Sequence, residues 1–217
     1  MTESALLRVP VFPLGGALLF PGSQLPLHIF EPRYRAMVRD ALASDKLTAM
    51  VQARPVPGDD DLAGDGQALS QIGCIGRIAA CDEREDGRFN IVLEGLSRFR
   101  IAREAEVSTP YRQVDADRDG FEDDSDAALG IAQRAEIERE ARAYADSLDY
   151  AVDWNAVSRL DDEMLVNGIC QIARLDVGAK QGLMEGRDLA ERPDLLLHFF
   201  QSLRLAPGGA HRPETVQ

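Results

Sequence analysis

The hydrophobic periodicity of this chain changes once, and that change constrains the fold more than any other feature. Up to residue 114, apolar residues alternate in short runs punctuated by Pro and Gly, as in half-buried strands. After residue 126 they recur every three to four positions, as in helices with one buried face. The switch falls on DADRDGFEDDSD (residues 115–126), which holds seven acids and one Arg in twelve residues. Strands followed by helices predict an α+β protein in two packed lobes. The expected division is a β-rich lobe over 1–114, an acidic linker over 115–126, a helical lobe over 127–206 and a flexible tail over 207–217.

In the first lobe, strands are expected over residues 7–14, 24–30, 47–53, 72–81 and 111–114, with two more around Phe89–Leu93 and Phe99–Ile101 separated at Gly95. Asp86-Gly87 has the composition of a hairpin turn. Glu31-Pro32 opens a helix with Pro where its missing N–H costs little. Residues 55–69, with two Pro, three Gly and four Asp, read as an exposed loop. In the second lobe three stripes stand out: Ile137, Ala141, Tyr144, Ala145 and Leu148; Leu165, Ile169, Ile172 and Ala173; Leu196, Phe199, Phe200 and Leu203. Asp161 or Asp162 is placed to cap the second stripe, and Pro193 belongs in the first turn of the third.

Charge and cysteine usage narrow the function class. Residues 1–114 carry 15 acids against 13 bases and residues 115–217 carry 22 against 11, giving a net charge of −13. Nonspecific binding to nucleic acid or to an anionic membrane needs clustered cations, which this balance does not provide. No apolar run reaches the ~18 residues of a membrane span, and MTESALLRV lacks the cationic start of a signal peptide. Cys74, Cys81 and Cys170 have no CxxC spacing, so free thiols in a cytoplasmic protein are expected. His28, His198 and His211 are isolated, without zinc-site spacing.

The segment VPVFPLGGALLFPGSQLPLHIFEPRYRAMVRDAL (residues 9–42) closely resembles the opening of the Lon protease N-terminal domain. IGCIGRI, DGRFNIVLEGLSRFRI and PYR follow in the order of that family, and DW, LVN, KQGLME and LAER resemble its helical words. The resemblance spans roughly residues 7–205, and Pro193 is a departure from it. It implies a PUA-like β-barrel-type N-terminal lobe followed by a C-terminal helical bundle. It also implies noncovalent binding of protein substrates, especially unfolded or partly folded segments. The chain has no GxxxxGK[ST] phosphate loop. Of the Ser–Lys dyad used by the Lon peptidase, only Lys46 and Lys180 are available as lysines, and neither lies in a peptidase motif. The expectation is therefore a stand-alone binding domain with no catalytic residue and no cofactor. Alternatives are an adaptor that docks on another protein, such as a protease or chaperone component, and an RNA-binding PUA-like module.

Individual residues admit competing roles. Leu19, Phe20, Pro21 and Leu25, on a Gly- and Pro-rich turn, are the candidate peptide contacts, or they fill the barrel. Asp115, Asp117, Asp119 and Asp126 scan as positions 1, 3, 5 and 12 of a calcium loop with Gly120 at position 6. Against this, the last ligand is the shorter Asp, and a solvated linker has the same composition. Arg77, Arg84, Arg88, Arg98, Arg100 and Arg103 form either a basic face or cross-strand ion pairs with nearby acids. Glu31 suits a helix N-terminus, Tyr34 a half-buried anchor, His28 a packing role, and Trp154 the seam between lobes.

Overall fold

The computed structural model describes residues 6–54, 67–121, 128–186 and 191–205. Seven strands come first: β1 Leu7–Leu14, β2 Gln24–Ile29, β3 Leu47–Arg54, β4 Ala68–Leu69, β5 Ile72–Glu83, β6 Phe89–Ala105 and β7 Gln113–Asp117. Helix α1 (Pro32–Leu42) lies between β2 and β3. Five helices follow: α2 Ile131–Ser147, α3 Trp154–Val157, α4 Asp162–Ile172, α5 Val177–Glu185 and α6 Glu191–Leu205. Of the loop expected over 55–69, residues 55–66 lie outside the described residues, as do 122–126 of the acidic segment and the tail; the end of that expected loop, Ala68–Leu69, is instead strand β4, paired with the end of β3.

Strands β1, β7, β6, β5 and β3 pair in that order, and β3 returns to β1, so five strands close a ring. Among the described residues only the β1–β3 pair is parallel. β2 joins the first half of β6, and β4 the end of β3. Period-two alternation gives the ring its own apolar filling: Val9, Val11, Ala49, Val51, Ile75, Phe99, Val114 and Ala116 are all buried in one cluster. The opposite residues face outward into a larger core. There Phe12, Leu19, Phe20, Met37 and Leu93 join Leu165, Val166, Leu183, Leu196 and Phe200, so sheet and helices share one interior.

Two boundaries differ from the sequence expectation. The two strands expected on either side of Gly95 are one continuous strand of 17 residues. A bulge at Leu96 absorbs the change, because pairing passes from Ile75↔Ser97 to Gly76↔Gly95. Gly95 is required there: a Cβ would collide with the Phe20 carbonyl, and its N–H and C=O bond Ser23 and Gly22, each at 2.9 Å. The acidic linker also starts later than expected, because β7 runs through Asp117. Asp115 is only 4% exposed, and its charge is matched by Arg8 at 2.9 Å and Arg103 at 2.6 Å, which allows a carboxylate to sit in a strand.

The helix ends follow the sequence closely. Asp153, Asp161 and Asp176 accept N-terminal amide bonds of α3, α4 and α5. Pro32 takes the first position of α1, and Pro193 sits in the first turn of α6. Glu31 is the N-cap of α1, but its carboxylate takes Arg33 at 2.9 Å instead of backbone amides. Helix α6 lies against α2, α4 and α5.

Candidate functional site

The apolar turn, which the sequence left open as an exposed contact or as barrel filling, is the seam between sheet and helices. Leu19 and Phe20 are fully buried, Pro21 is buried, and Leu25 is half-buried. Helix α4 covers the turn and satisfies its backbone. Gln171 accepts from the Phe20 amide at 3.1 Å and donates to the Leu18 carbonyl at 2.9 Å. Asn167 donates to the Pro21 carbonyl at 3.1 Å and is itself held by Arg192. Leu19, Phe20 and Pro21 are therefore not presented to a partner: their apolar surface is taken up by the chain's own α4.

The first carboxylate of the calcium-like segment is also engaged elsewhere. Both Asp115 oxygens face arginines, and hydrogen bonds first from Arg8 and then from Arg103 hold its pKa below the usual carboxylate value. Asp117 accepts from the Asp119 amide at 3.0 Å, and Asp126 lies outside the described residues. No group of three or more metal-ligating side chains gathers among the described residues.

The arginines do not form one basic face. Arg103 pairs with Asp115, Arg88 with Asp86 and Arg84 with Asp82. Arg98 is fully buried. Its guanidinium donates to the carbonyls of Met184, at 3.1 Å, and Gly186 at the end of α5, and lies 4.8 Å from the centre of the Phe121 ring. A residue expected to be a surface cation is thus a clasp between β6 and the helices. Tyr34 is buried edge-on to Phe12, and its hydroxyl-bearing ring carries Arg33 on its face at 4.6 Å.

Two concavities stand out among the described residues. One is a broad groove of about 540 Å³ on the outer face of β2, β6 and β5, with Pro26, His28, Val92, Asn90 and Asp82 along it. His28 is bonded to Asn90 at 2.7 Å, and Phe30, just past β2, is 60% exposed. Cys81 also borders this groove; desolvation, then Glu83 and Asp82, raises its thiol pKa and opposes thiolate formation.

The second is an apolar pocket of about 230 Å³ among α2, α3, α4 and α6. Tyr144, Leu165, Ile169, Ile172 and Phe200 line it together with Tyr150, Val152 and Trp154. Tyr144 is fixed by its ring contact with Phe200, centroids 5.2 Å apart, and by accepting the Arg174 amide at 2.7 Å. Arg142 covers Trp154 at 4.3 Å and Arg174 covers Tyr150 at 5.2 Å. Ile172 remains 62% exposed beside the opening. Trp154 is half-buried here and borders this pocket, away from the sheet–helix seam where it was expected. The sequence carried a signal for the pocket wall: Tyr150, Val152 and Trp154 alternate outside any helical stripe.

Such a pocket has no acid–base pair and no nucleophile; its chemistry is shape and apolar contact. A cavity of 150 Å³ holds a benzene ring, so this volume admits an aromatic or large aliphatic side chain.

Comparison with known proteins places the fold. The family model described as ATP-dependent protease La (LON) substrate-binding domain matches residues 8–202. Lon protease 2 of Myxococcus xanthus is 28% identical over 200 residues, covering 90% of this chain and 24% of its own length. Lon protease of Anaeromyxobacter dehalogenans is 25% identical over 200 residues, covering 90% and 23%. The chain thus spans about a quarter of the length of these curated relatives. The crystal structure of a Lon N-terminal domain protein from Xanthomonas campestris superposes with a TM-score of 0.63 at 20% identity, covering 93% of this chain and 99% of that one. The N-terminal domain of Mycobacterium avium complex Lon protease gives 0.64 at 19% identity, covering 90% and 98%.

Proposed function

Since the chain belongs to the ATP-dependent protease La (LON) substrate-binding domain family, we propose that it binds protein substrates noncovalently and carries out no chemistry on them. The substrates are unfolded or partly folded segments, met in the cytoplasm, whose bulky apolar side chains seat in the pocket among α2, α3, α4 and α6. The observation that carries this reading is the pocket itself: an open apolar cavity walled by Tyr144, Tyr150, Trp154 and Ile172. Folded proteins bury such side chains, so a pocket of this kind discriminates unfolded from folded.

The strength expected is modest. An aromatic side chain burying roughly 200 Å² contributes about 5 kcal/mol before the costs of ordering and association. One anchor therefore gives weak, reversible contact, and tighter binding needs several anchors on one chain. The edge of β2 away from β6 pairs with no other strand among the described residues and offers a second attachment by strand addition.

The RNA alternative is disfavoured because Arg98 is buried and Arg84, Arg88 and Arg103 face carboxylates. The test is fluorescence anisotropy with a labelled unfolded model protein, its folded form and a labelled RNA, at low and high salt. Preference for the unfolded protein at both salt concentrations is expected. Binding to RNA alone, weakening steeply with salt, refutes the proposal.

A further inference from the structure

We propose that the edge of β5 beyond the end of β3 takes an extended segment of an unfolded chain by main-chain pairing, whatever its side chains. This rests on the reading of the chain as a binder of unfolded segments and adds a site apart from the helical pocket and the β2 edge.

Among the described residues β3 pairs with β5 only as far as Arg77, and the Ile78 amide still reaches the Lys46 carbonyl at 2.9 Å. β5 then runs on beside β6 to Glu83, with no strand on its other side. In an antiparallel ladder hydrogen-bonded and non-bonded pairs alternate, so the pairing fixes which backbone groups each outer edge offers. The Arg84 amide donates to the Arg88 carbonyl at 2.8 Å. In the same register Asp82 faces Asn90 as a bonded pair, and the N–H and C=O of Cys81 and Glu83 point away from β6. On β2 the Gly95 amide donates to the Ser23 carbonyl at 2.9 Å, which turns the backbone groups of Gln24, Pro26 and His28 away from β6. The centre of that edge is therefore Pro26, which has no N–H to give.

β5 lacks such a guard. Residues 79–83 are all exposed and include no Pro and no Lys. Asp82 and Glu83 are drawn to Arg84 at 3.6 Å and Arg39 at 3.1 Å, and Ala79, Ala80 and Cys81 are small. An unguarded edge is a template for another strand. An unfolded chain matches it, because such a chain offers unpaired backbone along its whole length, whereas a folded protein offers it only at its own edges. The broad groove continues from this edge over Ala80, Asp82, Asn90 and Val92, which leaves room for side chains on that face of an added strand.

The test removes the edge donor. Cys81→Pro deletes an N–H that faces away from β6, so the β5–β6 ladder is kept, and Cys81→Ser retains that N–H. A labelled unfolded model protein is titrated into the parent and both variants, with melting curves as the control for folding. Cys81→Ser is expected to bind as the parent does, and Cys81→Pro about fivefold more weakly for one lost hydrogen bond. A second measurement needs no variant: saturating unfolded protein is expected to slow modification of the Cys81 thiol in the parent, and the folded form of the same protein is not. Equal binding by a folded Cys81→Pro, or Cys81 modified at one rate with and without the unfolded protein, overturns this inference and leaves the pocket reading standing. If the unfolded protein does not bind the parent, both fall. A dimer in sedimentation, with Cys81 protected as the chain itself is concentrated, also overturns it, because the occupant is then a second copy.

Discussion

Arg98→Met removes the clasp between β6 and the end of α5 while keeping the unbranched stem. The guanidinium is fully buried and donates to the carbonyls of Met184 and Gly186, two of the acceptors that a helix C-terminus leaves without an internal partner. A hydrogen bond from a charged donor contributes about 1.5–3 kcal/mol. At least these two are lost, and both acceptors stay behind in a buried site. Relief from burying the charge offsets part of this, leaving a cost of about 3–5 kcal/mol. In a chain of this size each kcal/mol shifts the melting temperature by ~2–4 °C, so Arg98→Met is expected to melt roughly 6–20 °C lower. Arg98→Lys keeps the charge but cannot fork to both carbonyls, and should fall between. Calorimetry gives the shift, and hydrogen exchange locates it. The α5 amides should lose protection before those of the ring strands, because the clasp holds α5. A melting temperature within about 2 °C of the parent, or uniform loss of protection, refutes the reasoning.

Three further outcomes are expected. Gly168 sits inside α4 with nothing within 4 Å of where a Cβ would be, so Gly168→Ala should stabilise by ~0.8–1 kcal/mol through helix propensity, measured by urea unfolding. Asp115→Asn should destabilise at neutral pH, and its deficit should close on acidification. The parent carboxylate has a folded pKa below its unfolded value of about 3.9, so its contribution is present above that value and is lost as pH falls through the lowered one. Denaturation midpoints from neutral to strongly acidic pH check this, and a deficit independent of pH counts against it. A thiol reagent should modify Cys81 in the native protein, more slowly than a free thiol because its pKa is raised, and leave Cys74 and Cys170 until unfolding, since the first is exposed and the other two buried. Burial also pushes the Cys170 thiol up to about 12, so it stays protonated.

What the sequence made legible was largely what local pattern controls. The edges of β1, the capping by Asp161 and the place of Pro193 all follow from alternation, cap chemistry and proline geometry. The family words around residues 9–42 carried the fold because their Pro and Gly spacing is unusual and long. The errors arose where tertiary contact decides. Leu19 and Phe20 read equally as an exposed apolar turn or as core until α4, some 150 residues later, brings Asn167 and Gln171 to their backbone. Asp115 looks like linker until Arg8 and Arg103 pair with it across two strands. Arg98 looks like a surface cation because alternation fixes which face a residue takes, and not what covers that face. The pocket was the least legible feature. Its walls come from four helices, α2, α3, α4 and α6, and the short run leading into α3, and no single window contains them.

If unfolded chains bind in the pocket among α2, α3, α4 and α6, plugging it abolishes that binding. Gly168 borders the pocket, so Gly168→Leu projects a side chain into the cavity from a position with open space around it. An unfolded model protein is titrated into the parent and the variant, with Trp154 fluorescence as the reading and a melting curve as the control for folding. Loss of a buried aromatic anchor costs about 2 kcal/mol or more, so binding should weaken by about 30-fold while the melting temperature holds or rises by about 2–4 °C through helix propensity. Equal affinity in a variant that remains folded would contradict the account, placing recognition elsewhere on the molecule.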